Sequence, residues 1–258
     1  MERGFSNVKI VVSDMDSTLS PTRMPLDSEM VGLIRRLLVY KDFAILSGNS
    51  FERLSSGVSG LLDLGETAPR IYLFPANATA MYMMGNGMWE PVYEERLGDP
   101  VKRRIFAAFA RALKETGYEW PKDVYGEVIE DRGTQMTFSA LGQLAPLEMK
   151  RRWDPDGRKR GEIMKRLARY LPDRVEARLG GTTSIDVTMR GIDKGYGIRK
   201  IMERLGYKKG EMLFIGNCLY KGGNDFPVIA TGVRWMSVRG PQETKRILKR
   251  IIAESEGR

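Results

Sequence analysis

The chain has 258 residues, of which 42 are basic and 33 acidic, giving a formal net charge of +9. A composition of 42% hydrophobic and 29% charged residues excludes intrinsic disorder, and the length suits one large domain or two smaller ones. The single cysteine excludes an intramolecular disulfide framework, and because no secretory leader pattern opens the chain we expect a cytoplasmic protein. Since no apolar run approaches the roughly 20 residues that a membrane helix needs, we expect no membrane partner.

The sequence contains no histidine, which removes the commonest general base and every Ser-His or Cys-His nucleophile pair. Any catalysis must therefore use carboxylates, lysine, hydroxyl groups or a metal. The positive charge suits anionic partners such as phosphorylated metabolites or nucleic acid. A solvated, arginine-rich surface explains that charge equally well.

The N-terminal part of the chain alternates between predicted strands and helices. Val8–Val12 is a short β-branched run that predicts a buried strand, and an apolar stripe over Met30–Leu38 predicts a helix that begins near Asp27. Further strands are predicted at Phe43–Leu46 and Ile71–Phe74. A strand, a helix and a strand in this order predict a parallel sheet.

The middle of the chain has a different pattern. A helical period runs from about Pro100 to Thr116, and Glu162–Leu171 is also predicted to be helical. Alternation with a period of two at Gln135–Leu141 and Ser184–Met189 predicts half-exposed antiparallel strands. We interpret this region as an inserted α+β domain.

Strand and helix alternation then returns. A helix carrying Ile198 and Ile201 is predicted to end at Gly206, and strands are predicted at Met212–Ile215 and around Val233–Val238. The predicted fold class is therefore α/β, with a Rossmann-like parallel-sheet core and an inserted α+β cap domain. The core is predicted to be discontinuous, with residues 1–90 and 191–258 on either side of an insert at residues 91–190.

Two carboxylates, Asp14 and Asp16, follow the first predicted strand, at the end where open α/β sheets bind their ligands. Two neighbouring carboxylates can divide their roles, one acting as a nucleophile or metal ligand and the other transferring a proton. A helix cap or a solvated turn explains such a pair about equally well when it is considered alone.

Three other segment ends carry groups that match these carboxylates. Ser47 follows the second predicted strand, Lys194 begins a predicted helix, and Gly216–Asp225 follows a later strand. Hydroxyl and ammonium groups neutralise phosphoryl oxygens, and oxygen ligands hold Mg²⁺. Taken singly they are explained as a turn residue, a surface lysine and a flexible loop, but together they predict a phosphate and magnesium site.

The order of these segments along the whole chain resembles the four motifs of the haloacid dehalogenase superfamily of phosphotransferases. The matching residues are Asp14-x-Asp16-x-Thr18, Ser47, Lys194, and Gly216 through Asp225. The insert between the second and third motifs is similar to the branch with a large α/β cap, which includes phosphosugar phosphatases and eukaryotic-type phosphomannomutases. Four segments are similar to mutase segments: Leu19–Arg23, Gly180–Val187, Gly222–Asp225 and Gly240–Thr244.

The resemblance implies a role for each matched residue. Asp14 would attack phosphorus and form an aspartyl-phosphate, while Asp16 would protonate the leaving oxygen and then take a proton from water or from a sugar hydroxyl. Ser47 and Lys194 would bind the phosphoryl oxygens. The implied cofactor is Mg²⁺, and its implied ligands are Asp14, Asp16 through its main-chain carbonyl, Asn217, Asn224 and Asp225.

Two departures from the family pattern bear on the reaction. Asn217 occupies a position where the family usually has a metal-binding aspartate, so we expect weaker metal affinity, partial compensation by Asp225, or impaired catalysis. In the cap, Arg132 matches an arginine of the mutases, whereas Gln143 and Lys150 stand where further arginines are expected. The other residues implied to bind substrate are Arg23, Asn49, Ser184 and Asp186.

We expect a Mg²⁺-dependent phosphatase that hydrolyses a phosphosugar or a similar small phosphate ester. Gln143 and Lys150 stand in place of cap arginines that a mutase would use to bind a second phosphate, and the Ser47 hydroxyl is similar to the usual phosphatase motif. The alternative is a phosphomannomutase-like intramolecular phosphotransferase, which must hold a bisphosphate at both ends. A third interpretation, an anion- or nucleic-acid-binding protein on an enzyme scaffold, rests on the net charge and on Asn217. No aromatic-rich basic motif supports a nucleic-acid partner, so the expected partner is a small phosphorylated metabolite, and a homodimer is compatible with the sequence.

Overall fold

The computed structural model describes residues 4–62, 70–85 and 87–257. The strands, in chain order, are β1 (Ile10–Asp14), β2 (Asp42–Leu46), β3 (Ile71–Phe74), β4 (Ala80–Gly85), β5 (Met88–Glu94), β6 (Ile129–Asp131), β7 (Met136–Ser139), β8 (Val175–Gly180), β9 (Ser184–Met189), β10 (Met212–Gly216) and β11 (Arg234–Ser237). The helices are α1 (Ser28–Leu38), α2 (Phe51–Gly57), α3 (Asp99–Glu115), α4 (Leu147–Trp153), α5 (Arg158–Leu167), α6 (Lys194–Leu205), α7 (Phe226–Ile229) and α8 (Pro241–Glu256). Within the described ranges, none of these helices combines the length and the hydropathy needed to cross a membrane.

The chain divides into two compact units. The first consists of Met1–Glu94 with Ile192–Arg258, and the second is Glu95–Gly191. The first unit contains a seven-stranded sheet in the order β11-β10-β1-β2-β3-β4-β5, and the second contains a four-stranded sheet in the order β6-β7-β9-β8.

The sheet of the first unit is parallel from β11 to β3, with β1 near its centre between β10 and β2. Side chains of a strand alternate between the two faces of its sheet. Val11 therefore packs into a core shared with α1 and α8, whereas Ile10 and Val12 pack into a core shared with α6. Helices on both faces of a parallel sheet confirm the predicted α/β class.

Helix α1 shows how local sequence produces this packing. Asp27 caps the helix, because its Oδ1 accepts a hydrogen bond from the backbone N–H of Met30 at 2.8 Å. The apolar stripe predicted from the sequence is buried at Met30, Leu33, Ile34, Leu37 and Leu38. Full burial of each such side chain stabilises the fold by about 1.5–3 kcal/mol.

The second unit is an antiparallel sheet covered on one face by helices. Phe138, Ile185 and Val187 of that sheet pack against α3 and α5 in a single core cluster. The alternating residues of β7 and β9 are polar and lie on the opposite face, where Thr137 is paired in register with Asp186 and Ser139 with Ser184. The predicted alternation and antiparallel pairing are confirmed, but the expected half-exposure is wrong, because the polar residues of β7 and the centre of β9 are also buried.

Several element boundaries differ from the sequence prediction. β1 extends to Asp14, so that this carboxylate lies within the strand and not in the following loop. α5 spans Arg158–Leu167, where the prediction was Glu162–Leu171. The antiparallel hairpin of β4 and β5 adds two strands beside β3 that the sequence analysis did not assign.

Candidate active site

Asp14 is the last residue of β1, on the same face of the strand as Val12. That face packs against α6, whose first residue is Lys194. The side chain of Asp193 caps α6 by accepting a hydrogen bond from the backbone N–H of Tyr196 at 2.8 Å, which sets the start of the helix. Lys194 Nζ donates to Asp14 Oδ1 and to Asp225 Oδ1, each at 2.5 Å. The structure thus joins residues of the first, third and fourth motifs in one buried charge cluster.

Burial and charge act in opposite directions in this cluster. Burial raises the pKa of Asp14 to about 6, Lys194 opposes the rise, and Asp225 adds to it. Burial by itself lowers the pKa of Lys194, but the two carboxylates outweigh it and raise that pKa above its ordinary value. Lys194 therefore stays protonated, and Asp14 is largely ionised at neutral pH.

Thr18 and Asn217 lie beside Asp14. The Thr18 hydroxyl contacts Asp14 Oδ2 at 2.9 Å and Asn217 Oδ1 at 3.3 Å, so these two oxygens converge on one group. Asp225 is held differently, because its Oδ2 accepts a hydrogen bond from the backbone N–H of Cys218 at 2.9 Å while its Oδ1 accepts from Lys194. Each oxygen of Asp225 thereby accepts one hydrogen bond from a protein donor, which fixes this side chain beside Lys194.

Asp16 is bound at both of its oxygens. The backbone N–H of Arg23 donates to Oδ1 at 2.7 Å, and Nδ2 of Asn49 donates to Oδ2 at 2.8 Å. The backbone is in the left-handed region at Ser17 (φ 59°) and at Arg23 (φ 65°), which is uncommon for residues other than glycine. This conformation folds the loop after β1 back over Asp16.

Ser47 directly follows β2 and is buried. Its backbone N–H donates to the Phe74 carbonyl at 2.9 Å, and its carbonyl accepts from the Asn77 N–H at 2.8 Å. The Ser47 hydroxyl accepts a hydrogen bond from the Asn49 N–H at 3.1 Å. These contacts fix Ser47 at the carboxyl edge of the sheet, the edge at which Asp14 also ends its strand.

The polar face of the second unit contains a hydrogen-bonded chain. Gln135 Nε2 donates to Thr137 Oγ1 at 2.8 Å, and Thr137 Oγ1 donates to Asp186 Oδ1 at 2.9 Å. Burial raises the pKa of Asp186, while Arg132 and the Thr137 hydrogen bond oppose that rise. Gln135 Oε1 is buried and has no hydrogen-bond partner among the described residues.

The predicted substrate-binding residues Arg132, Gln143 and Lys150 of the same unit all contact protein groups. Arg132 donates to Glu130 Oε2 from Nε at 2.7 Å and from its terminal nitrogen at 2.6 Å. With its amide nitrogen facing Glu130, Gln143 also donates to Oε1 and Oε2 at 2.8 and 3.0 Å. Lys150 is buried and donates to the Gln143 carbonyl at 2.7 Å. The positive charge of Arg132 is therefore balanced by Glu130.

Comparison with known proteins places the chain in a family. The family model described as eukaryotic phosphomannomutase matches residues 34–254. The chain belongs to this family.

Individual relatives agree with the family match over nearly the full length of the chain. A phosphomannomutase of Saccharomyces cerevisiae is 26% identical over 252 residues, which is 94% of this chain and 94% of the relative. Phosphomannomutase 1 of Homo sapiens is 23% identical over 253 residues, covering 93% of this chain and 90% of the relative. The similarity to phosphomannomutases therefore spans both units.

Solved structures share the fold. ATP-bound IMP-nucleotidase of Plasmodium falciparum matches with a TM-score of 0.72 at 18% identity, covering 97% of this chain and 61% of that chain. A haloacid dehalogenase-like hydrolase of Bacteroides thetaiotaomicron matches with a TM-score of 0.62 at 14% identity, covering 95% and 99%. These similarities show that the chain shares its fold with these proteins.

The Asp14 region has donors that fit Mg²⁺, the cofactor implied by the superfamily. Mg²⁺ prefers oxygen ligands, and proteins usually bind it through one or two carboxylates with water and substrate phosphate. Asp14 Oδ2 and Asn217 Oδ1 converge on Thr18, and both are oxygens of the required type. The described residues contain no group of three or more acidic, histidine or cysteine side chains arranged to hold a metal. The oxygen donors of Asp14 and Asn217 are therefore of the type that Mg²⁺ prefers, but only one of these two side chains is negatively charged.

The structure brings together some predicted site residues and separates others. One group lies in the first unit and consists of Asp14, Asp16, Arg23, Ser47, Asn49, Lys194, Asn217 and Asp225. Asn224 lies in the same loop as Asp225, but its side chain is exposed. A second group lies in the second unit and consists of Arg132, Gln143, Lys150, Ser184 and Asp186. Ser184 contacts Ser139 through the hydroxyl oxygens at 3.2 Å.

Sequence analysis missed three residues of these groups. Thr18 was noted in the first motif but not as a contact of both Asp14 and Asn217, although its spacing of two residues from Asp16 is a usable signal. Arg53 lies close enough to Arg23 to lower the pKa of that guanidinium together with burial, while Asp16 acts in the opposite direction. Glu130, which neutralises Arg132, could have been suspected from its position two residues earlier.

Proposed function

We propose that this protein is a sugar-phosphate phosphotransferase that interconverts mannose 1-phosphate and mannose 6-phosphate through a phosphorylated Asp14. The observation that supports the mutase is that relatives named phosphomannomutase match both units, with 94% of each chain covered in the first case. This support ranks the mutase ahead of the phosphatase that we favour from the sequence. The expected location in the cytoplasm stays a prediction.

The chemistry proceeds in two displacements. In the first, a carboxylate oxygen of Asp14 attacks one phosphorus of a hexose bisphosphate, a new O–P bond forms, and the ester P–O bond breaks as Asp16 gives its proton to the leaving sugar oxygen, which yields a hexose monophosphate. In the second, Asp16 takes a proton from the free hydroxyl of the other hexose monophosphate, whose oxygen attacks the phosphorus and breaks the bond to Asp14, so that a bisphosphate forms again. Together the two displacements return Asp14 and Asp16 to their initial states.

Other residues of the first unit assist these steps. Lys194 offsets the repulsion between the Asp14 carboxylate and an incoming phosphate anion, since it is buried and stays protonated. The Ser47 hydroxyl lies at the same sheet edge and would bind a phosphoryl oxygen. Asp14, the main-chain carbonyl of Asp16 and Asn217 would hold Mg²⁺, which when bound withdraws charge from the phosphoryl oxygens.

A phosphatase is the second candidate, and a specific observation favours it. A mutase must bind a bisphosphate at both ends, but Arg132 is paired with Glu130, and Gln143 contributes no charge. Lys150 is buried and donates to a backbone carbonyl. These three residues of the second unit would therefore bind a second phosphate weakly. A hydrolase does not need a site for a second phosphate.

The test follows both products in one reaction. The protein is incubated with mannose 1-phosphate and Mg²⁺, with and without a hexose bisphosphate, while mannose 6-phosphate and free phosphate are measured. Bisphosphate-dependent interconversion with little free phosphate is expected. Phosphate release without interconversion would favour the phosphatase. The absence of both products would contradict both candidates.

Two variants test the role of Asp14. Asp14→Asn should abolish the activity, whereas Asp156→Asn, which changes an exposed aspartate of the second unit, should not.

A further inference from the structure

The side chain of Asn49 contacts Asp16 and points to a role beyond the functions given so far. Asn49 Nδ2 donates to Asp16 Oδ2 at 2.8 Å, in addition to the Arg23 N–H that donates to Oδ1 at 2.7 Å. We propose that Asn49 is a positioning residue, which fixes the Asp16 carboxylate for proton transfer and does not itself bind substrate. This inference rests on the proposed function, because it assigns Asp16 the role of the acid and base.

Asn49 is itself rigidly held. Its backbone N–H donates to Ser47 Oγ at 3.1 Å, and its carbonyl accepts from the Ala76 N–H at 2.7 Å. The first contact ties it to the end of β2 and the second to the turn after β3. Because Ser47 and Ala76 follow adjacent parallel strands, the sheet sets the position of the Asn49 backbone, from which the side-chain amide reaches Asp16.

Two donors on different oxygens are needed to fix an aspartate carboxylate. The terminal torsion of an aspartate side chain is broad and roughly twofold, so one hydrogen bond leaves the carboxylate plane poorly defined. The Arg23 N–H binds one oxygen and Asn49 binds the other, which sets the plane. Without the Asn49 amide, only the Arg23 N–H would bind the Asp16 carboxylate, and the plane of that carboxylate would no longer be fixed.

The same contacts leave acceptor positions of Asp16 open to a substrate group. A carboxylate has about four acceptor positions, and two of them are used by Arg23 and Asn49. A carboxamide neither gains nor loses a proton in the pH range of proteins, so Asn49 cannot replace Asp16 as acid or base. Its contribution is to geometry, on which proton transfer depends strongly.

The test compares two phosphoryl donors in a single turnover. A hexose bisphosphate releases a sugar oxygen that must be protonated, whereas p-nitrophenyl phosphate releases a phenolate that leaves without a proton. We expect Asn49→Ala to slow transfer from the hexose bisphosphate roughly 10- to 100-fold and transfer from p-nitrophenyl phosphate by less than about threefold. The Kd for the bisphosphate should stay unchanged, and Asp16→Asn should give the same selectivity with a larger loss.

Controls separate this inference from the proposed function and from misfolding. Ser50→Ala changes the neighbouring residue, whose side chain makes no cap hydrogen bond to α2, and should match the wild type. Asn49→Leu keeps the side-chain size without the donor and should reproduce Asn49→Ala. If Asn49→Ala slows both donors equally, or raises only the Kd, the positioning role is wrong although the proposed function stands. If the wild-type protein forms no phosphorylated Asp14 from either donor, the proposed function and this inference both fail.

Discussion

Lys194 and Asp225 form a fully buried ion pair, with Nζ and Oδ1 separated by 2.5 Å and neither side chain exposed. Asp14 binds the same ammonium group, so one cation serves two carboxylates. A buried ion pair does not by itself indicate net stabilisation, because burying two charges is costly. Removal of one partner is nevertheless destabilising, because it leaves an uncompensated buried charge. The cluster therefore couples the stability of the sheet edge to the chemistry proposed for it.

Replacement of Lys194 should be costly for this reason. Lys194→Met leaves Asp14 and Asp225 buried together, and the free energy of unfolding should fall by about 3–5 kcal/mol. Urea unfolding measures the change. Lys249→Met is the matched control, because Lys249 pairs with Glu29 at 2.7 Å on the surface, and it should change stability by no more than about 1 kcal/mol. Equal losses in the two variants would contradict the assigned role of Lys194.

Asn217 should limit the affinity for a divalent cation. Asn217→Asp replaces a neutral oxygen ligand beside Asp14 with a charged one, so the Kd for Mg²⁺ should fall at least about tenfold. Calorimetric titration with Mg²⁺, supported by Mn²⁺ spectroscopy, measures binding without relying on activity. Asn224→Asp adds the same charge to an exposed position of the same loop and should have a smaller effect. If both variants bind equally well, Asn217 is not a ligand.

Elements with strong local patterns could be predicted from the sequence. The stripe of α1 predicted its buried face, because the period of a helix is a local property. β1 was predicted to end two residues too early, since Ser13 and Asp14 are polar and resemble a loop. The strand continues because Asp14 pairs with Leu46 of β2, and Lys194, 180 residues away, compensates the buried Asp14 charge. A local hydropathy pattern cannot indicate a charged partner that is so distant in the sequence.

The same reasoning explains what the sequence predicted about the site. Motif order predicted that Asp14, Asp16 and Lys194 belong to one site, because each follows or begins an element that the sequence pattern predicts. The pairing of Arg132 with Glu130 and the donation from Asn49 to Asp16 were missed, since they depend on side-chain direction and on contacts across the sheet. Residue type at a position could suggest a phosphate-binding arginine, but only the structure reveals the carboxylate that neutralises it.

Gln143 should limit the binding of a second phosphate. Gln143→Arg adds a cation that competes with Arg132 for Glu130, so the Kd for a hexose bisphosphate should fall roughly tenfold, as expected for a charge-assisted contact. The titration is done in an Asp14→Asn background to prevent turnover. Gln143→Met removes the contacts with Glu130 without adding charge and should not improve binding. If Gln143→Arg lowers the Kd for a hexose monophosphate by the same factor, residue 143 does not contribute specifically to binding of the second phosphate.

Asp154 and Arg160 should stabilise the second unit in a pH-dependent way. Arg160 Nε donates to Asp154 Oδ2 at 2.8 Å, and the Arg160 guanidinium also donates to the carbonyls of Gly180 and Gly181 at 2.8 and 2.6 Å. Burial works to raise the pKa of Asp154, but the hydrogen bonds from Arg160 and from two backbone N–H groups hold it below its ordinary value. A depressed pKa means that the stabilisation is present above the unfolded value of about 4 and is lost as the pH falls further.

Asp154→Asn should therefore lower the free energy of unfolding by about 3–5 kcal/mol at pH 7, because Arg160 loses its buried counter-charge. The difference from the wild type should shrink as the pH is lowered below about 4, where the wild-type carboxylate also becomes protonated. Urea unfolding at a series of pH values measures both effects. Asp156→Asn is the control, since Asp156 pairs with Arg158 at 3.8 Å on the surface, and its effect should be within about 1 kcal/mol at every pH. A difference between Asp154→Asn and the wild type that does not change with pH would mean that packing, and not the ionised pair, sets the loss.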